Sequence, residues 1–169
     1  MADDDDHDEA TEPEFTLISG REGFREALLT LIGEAQMTLN IHTYDLHRDI
    51  YATPAVVEAI RGFALQHDRA RVNVLINEPK RTMAAAHRLV EFGRALSSRI
   101  EFRQLPESKR SQVEDCVLGD GRTMLLRQRP DDVEARIYHR PGTAHLRNQA
   151  FEALWPHALP ARELQQLRM

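Results

Sequence analysis

Val113 to Leu126 reads VEDCVLGDGRTMLL: an apolar run, an Asp120-Gly121 turn and a second apolar run. Asp-Gly between two such runs is a short-range signal for a β-hairpin, because both residues tolerate the positive φ that a tight reversal needs. Upstream, Phe15–Ile18 reads as a short strand. Ser19 precedes Glu22 by the three residues of a capping box, and so opens a helix. Phe24, Ala27, Leu28, Leu31 and Ile32 recur at helical spacing and give that helix one apolar face.

MTLNIHTY (Met37 to Tyr44) alternates and is rich in β-branched residues, hence a strand. Thr53-Pro54 starts a second helix, with Val56, Val57, Ile60, Phe63 and Ala64 inward. Arg71–Ile76 is a third strand. A third helix is predicted from Thr82 to about Ser97, with Ala86, Leu89, Val90 and Leu96 buried and His87 half-exposed on it. Ile100–Leu105 is a fourth strand, and Glu134–His139 follows the hairpin as another. A last helix from about Thr143 carries Leu146, Ala150, Phe151 and Leu154, with His145 half-exposed, and ends at Trp155-Pro156.

Strand–helix alternation followed by a hairpin predicts an α/β fold: a mixed, largely parallel sheet flanked by helices on both faces. Ligands collect beyond the carboxyl ends of parallel strands, which selects loops 44–53, 77–82 and 105–112 as the functional edge. Residues 15–156 form the expected domain, and 157–169 an extension with a short helix.

Composition narrows the class. With 169 residues, 41% hydrophobic and 29% charged, the chain has room for one well-cored globular domain. No apolar run approaches the roughly 20 residues of a membrane span. The acidic start is unlike a secretory signal, and the single Cys116 can form no internal disulfide, so a cytoplasmic location is the default expectation. Residues 1–14 hold eight acids and no Lys or Arg, a run expected to stay a solvated, disordered tail. With that tail set aside, 22 basic residues face 19 acidic ones, so the body carries about +3 rather than −5. That charge is too small for the broad basic footprint of a nucleic-acid binder.

Order and hairpin together resemble one half of a phospholipase D-like domain over about residues 15–156. MTLNIHTYDL is similar to the family's second strand and polar loop, RVNVLI to its third strand, and AHLRNQAFEALW to the helix that closes a half. The family motif is H-x-K-x4-D-G. With Asp120-Gly121 on its Asp-Gly, Val113 falls at the His position and Asp115 at the Lys position. Met124–Arg127 replaces the family's following Gly-Ser. No histidine lies between His87 and His139, so no shift of register restores the imidazole. The resemblance implies a phosphodiesterase scaffold, in which one His attacks phosphorus, a second protonates the leaving oxygen and lysines hold the phosphate. It also implies pairing of two halves, here as a homodimer. The residues at the motif imply loss of that chemistry and a non-enzymatic binding or protein-interaction module, with an anionic ligand or a protein as partner.

Other residues keep chemical potential. His42, Tyr44, Asp45, His47 and Arg48 crowd the loop after the second strand; there His42 or His47 could serve a small hydrolase as general base, oriented by Asp45. Lys109 and Arg110 lie on the next loop of the same edge, while Glu114 and Asp115, as strand neighbours, must point to opposite faces. Arg127 shares a strand face with Arg129, and Arg136, Tyr138 and Arg140 share another; such groups either grip phosphate or solvate an exposed sheet edge. A single-stranded nucleic acid held by these arginines is the third reading. No spacing matches a metal signature, and no cofactor is implied.

Overall fold

A computed structural model describes residues 14–83, 87–109, 114–129 and 132–161. The acidic segment 1–13, Ala86, Arg110, Val113 and Pro130-Asp131 lie outside the described residues.

Among the described residues one sheet holds eight strands: β1 (Phe15–Ser19), β2 (Thr38–Thr43), β3 (Arg71–Ile76), β4 (Ile100–Gln104), β5 (Asp115–Gly119), β6 (Thr123–Arg127), β7 (Glu134–Tyr138) and β8 (Leu159–Pro160). Their spatial order is β1-β7-β6-β5-β2-β3-β4-β8. Six helices accompany them: α1 (Gly20–Glu34), α2 (Arg48–Tyr51), α3 (Pro54–Leu65), α4 (Pro79–Met83), α5 (Arg88–Ala95) and α6 (Pro141–Leu154).

The mixed α/β class expected from the sequence is the one observed. Parallel pairing is confined to β2-β3 and β3-β4, however, and the other neighbours are antiparallel. The sheet is therefore mixed rather than largely parallel: β5, β6 and β7 follow one another as antiparallel neighbours through short connections instead of helical crossovers.

Alternation along the strands splits the core in two. Val72, Val74, Ile76, Val117 and Leu125 face α1, α3 and α5, and pack with Phe24, Leu28, Ile60 and Leu89. Leu75, Cys116, Leu118, Met124 and Leu126 face α6, and pack with Ala144 and Phe151. Burying both faces is what makes these strands nearly continuous apolar runs.

Several local expectations are corrected. The helix predicted over 82–97 is two helices: α4 begins at Pro79, and the chain at His87 is extended before α5. His87 is buried rather than half-exposed. Ser19 does precede α1, but its side chain makes no capping bond. Loop 44–53 contains the short helix α2. On α6 it is Ala144 and Phe151 that face the sheet, and Leu146 is 69% exposed. Residues 159–160 pair antiparallel with β4, and residues 162–169 of the extension in which a short helix was expected lie outside the described residues.

The hairpin turn anchors the sheet. Gly119 pairs with Thr123, so the loop is Asp120-Gly121-Arg122, and Asp120 and Gly121 have φ of 54° and 65°. An aspartate in the left-handed region is strained. Here the strain is offset, because the Asp120 carboxylate accepts from the backbone N–H groups of Gln36 (2.9 Å), Met37 (2.7 Å) and Thr38 (3.0 Å). The turn thereby fixes where α1 ends and β2 begins. Asp120→Ala removes those acceptors and should cost about 2 kcal/mol in urea unfolding. Asp120→Asn, which tolerates the same φ and keeps one acceptor, should cost clearly less.

Candidate functional site

β2 and β5 are antiparallel, so the carboxyl end of β2 meets the start of β5 at the edge selected by the sequence. Asp115 and Arg127 are direct cross-strand partners on the hairpin. They are buried, with side chains 1% and 5% exposed, and joined by a salt bridge from Arg127 Nη2 to Asp115 Oδ2. The other carboxylate oxygen accepts from Thr43 Oγ1 at 2.5 Å and from the Tyr44 N–H at 3.4 Å. Thr43 Oγ1 accepts in turn from the Leu46 N–H at 3.1 Å, bracing a loop in which Leu46 has φ 52°. The Arg127 guanidinium lies 5.1 Å from the Phe24 ring centre. Tyr51 is wholly buried beside this network, and burial, with Asp115 adding to it, pushes its hydroxyl well above the ordinary phenol range. The network is sealed from solvent on the helical side of the sheet.

Asp115 and Arg127 were both candidate ligand contacts; the fold commits them to each other. The exposed-edge reading of the arginines does not hold for Arg127, since β6 is flanked by β5 and β7. Of the other hairpin arginines, Arg129 is exposed, Arg136 covers the Phe15 ring at 4.6 Å, and Arg140 is exposed before α6.

On the opposite sheet face a cleft of about 180 Å³ opens between the strands and α6, lined by His42, Lys109, Glu114, Cys116, Arg147 and Phe151 among others. His42 Nε2 lies 3.1 Å from Asn77 Oδ1. Burial lowers the His42 pKa below its ordinary 6.5, with the Asn77 bond acting in the other direction, so the imidazole is neutral at pH 7. Arg147 reaches from α6 to pair with Glu114. Lys109 is exposed at the end of a 3-10 turn, Glu107–Lys109. Burial pushes the Cys116 thiol up to about 12, which leaves it inert. Glu114 and Asp115 do point to opposite faces. Arg147 was missed, although its spacing to Ala150, Phe151 and Leu154 puts it on the sheet-facing side of α6.

Asp45, His47 and Arg48 line a second cleft, with Thr82 and His87. His47 Nδ1 accepts from the Asp49 N–H at 3.2 Å and so caps α2. Thr82 Oγ1 donates to the Asp45 carbonyl at 2.7 Å, and His87 Nε2 donates to the Leu46 carbonyl at 2.9 Å. The loop after β2 therefore does not converge on one site: His42 and His47 line separate clefts. Tyr44 stands between them, half-buried. Among the described residues no three His, Cys, Asp or Glu cluster as metal ligands, and no helix is long and apolar enough to cross a membrane.

Two measurements test this geometry. Removing either partner of a buried ion pair strands the other charge, so Asp115→Asn and Arg127→Met should each cost about 3–5 kcal/mol in urea unfolding. The double variant should cost much less than the two losses combined. Second, burial lowers the pKa of both His42 and His87. Between those lowered values and 6.5 the unfolded chain binds more protons than the folded one. The stability that the neutral imidazoles contribute is thus present above pH 6.5 and lost as pH falls through that window. Urea midpoints should fall from pH 7 to pH 5. His42→Gln and His87→Gln should flatten the slope.

The family model described as "Domain of unknown function (DUF7931)" matches residues 20–167. No curated protein matches in sequence. Among solved structures, Nuc from Salmonella typhimurium, a phospholipase D family member, superposes with a TM-score of 0.60 at 17% identity over 88% of this chain and 98% of its own. Phosphatidylserine synthase from Haemophilus influenzae gives 0.63 at 13% identity, over 94% of this chain and 42% of its own. TrmBL2, an archaeal chromatin protein, gives 0.59 at 12% identity, over 90% of this chain and 56% of its own. The chain thus spans nearly all of Nuc, but about half of TrmBL2 and less than half of the synthase. Its fold is phospholipase D-like, and by the match over most of its length the chain belongs to the DUF7931 family.

Proposed function

We propose that this chain is a catalytically degenerate phospholipase D-like domain that serves as a non-enzymatic binding or protein-interaction module. One observation carries the reading. Asp115, aligned by Asp120-Gly121 with the lysine of the family motif, is wholly buried and satisfied by Arg127 and Thr43. Where the family's chemistry needs an exposed cation to hold phosphate, a sealed pair without net charge stands. Arg127, at the place of the family's small residue after the hairpin, fills the space from the other strand. An aliphatic Val113 in the histidine position can neither attack phosphorus nor transfer a proton.

The module keeps an anion-friendly cleft under α6, where Lys109 is exposed and His42 offers a neutral imidazole. Pairing of two copies, as in the family's two-half architecture, belongs to the same proposal. TrmBL2, described by its mode of DNA binding, is consistent with a binding role for such a fold.

The rival reading is a small phosphodiesterase or hydrolase, and the neutral, partly buried His42 is the feature that favours it. Turnover of bis(p-nitrophenyl) phosphate, with and without Mg²⁺ or Mn²⁺, separates the two. The expected result is no rate above buffer, unchanged in His42→Ala and His47→Ala. Turnover lost in either variant, with the fold intact by circular dichroism, would overturn the non-enzymatic reading.

A further inference from the structure

On the helical face, away from the α6 cleft, a pocket of about 540 Å³ opens between α1, α2, α3 and α5. Four arginines line it, Arg21 and Arg25 from α1, Arg48 from α2 and Arg88 from α5, together with Asp49 and Thr53. Four guanidinium groups against one carboxylate leave a local charge of +3 on a protein whose whole body, outside the acidic tail, carries about the same.

The arginines are not equivalent. Arg21 is paired with Asp49 at 2.8 Å, and Arg25 reaches the Asp49 carbonyl at 3.5 Å. Arg48 and Arg88 are exposed, and among the described residues neither side chain has a hydrogen bond or ion pair. Arg88 also opens α5, where the helix dipole disfavours a cation. Gathering like charges in one concavity costs energy unless an anion offsets it. The pocket wall includes the start of α3, whose cap residue makes no side-chain capping bond; the Thr53 hydroxyl donates backwards, to the Ile50 carbonyl at 2.9 Å.

We propose that this pocket is a binding site for a small phosphate ester, and that Arg48 and Arg88 grip its diphosphate group while Arg21 and Arg25 complete the field. The planar guanidinium fork matches phosphate oxygens in pairs, and lysines, which act as point charges, are absent from the lining. A local +3 suits a group of two or three negative charges. The arginines converge on one pocket rather than running in a stripe, which suits a compact anion better than a nucleic-acid backbone. None of the four arginines lies on the motif hairpin, so the site is independent of the chemistry lost there.

The test is isothermal titration of the full chain with inorganic pyrophosphate at low salt. Saturable binding is expected, weakened about tenfold or more in Arg48→Ala/Arg88→Ala. Both residues are exposed, so the double variant should melt like the parent; the single Arg88→Gln, expected to weaken binding in the same direction, is the second variant. Asp49→Asn should tighten binding, and Arg122→Ala, on the hairpin loop, should leave it unchanged. No saturable heat, or an equal loss in Arg122→Ala, overturns the proposal. So does a single-stranded oligonucleotide that binds through Arg48 and Arg88 more tightly than pyrophosphate.

Discussion

The ion pair between Asp115 and Arg127 is the constraint on which the rest of this architecture depends. Two full charges are held out of water at the edge of an interior hairpin, and each is tolerable only while the other is in place. Thr43 joins the pair from β2 and passes the constraint to the loop at Leu46. Phe24 of α1 covers the guanidinium, and Tyr51 of α2 lies within the same electrostatic environment. One cross-strand contact thus ties together the hairpin, the neighbouring strand and two helices.

The sheet divides the remaining chemistry between its faces. Strand alternation sends His42, Glu114 and Cys116 towards α6, and Thr43 and Asp115 towards α1. The α6 cleft is nearly balanced in charge, since Arg147 is paired with Glu114 and His42 is neutral. The strong positive field lies instead between the helices of the other face. The scaffold presents a charged concavity there because helix starts and loops gather at the same end of the sheet, whatever the strands below them carry.

Much of the fold was legible in the chain. Phe24, Leu28 and Leu31 at helical spacing, RVNVLI as an apolar strand and Asp-Gly at a reversal are local signals, and local physics honours them. Two of the misses share one cause. The helix at Arg48–Tyr51 and the pieces on either side of the break at His87 are short, and short elements are decided by what they dock against. The site was legible as a list of residue types at one edge, but not as a grouping, because His42 and His47 are separated by which face of the sheet each one meets.

The sequence by itself determined most of the elements, the hairpin and the lack of any histidine between His87 and His139, since these rest on periodicity, turn chemistry and residue identity. Only the tertiary structure decided that Asp115 opposes Arg127. A two-residue loop at Asp120-Gly121 would have set Leu126 opposite Asp115; the three-residue loop moves the register by one and brings the charges together. Likewise, only the packing of α1, α2 and α5 gathers arginines that stand as far apart in sequence as Arg21 and Arg88. Local pattern carries the shape of each piece. Which charges meet is set by register and docking, which no local window contains.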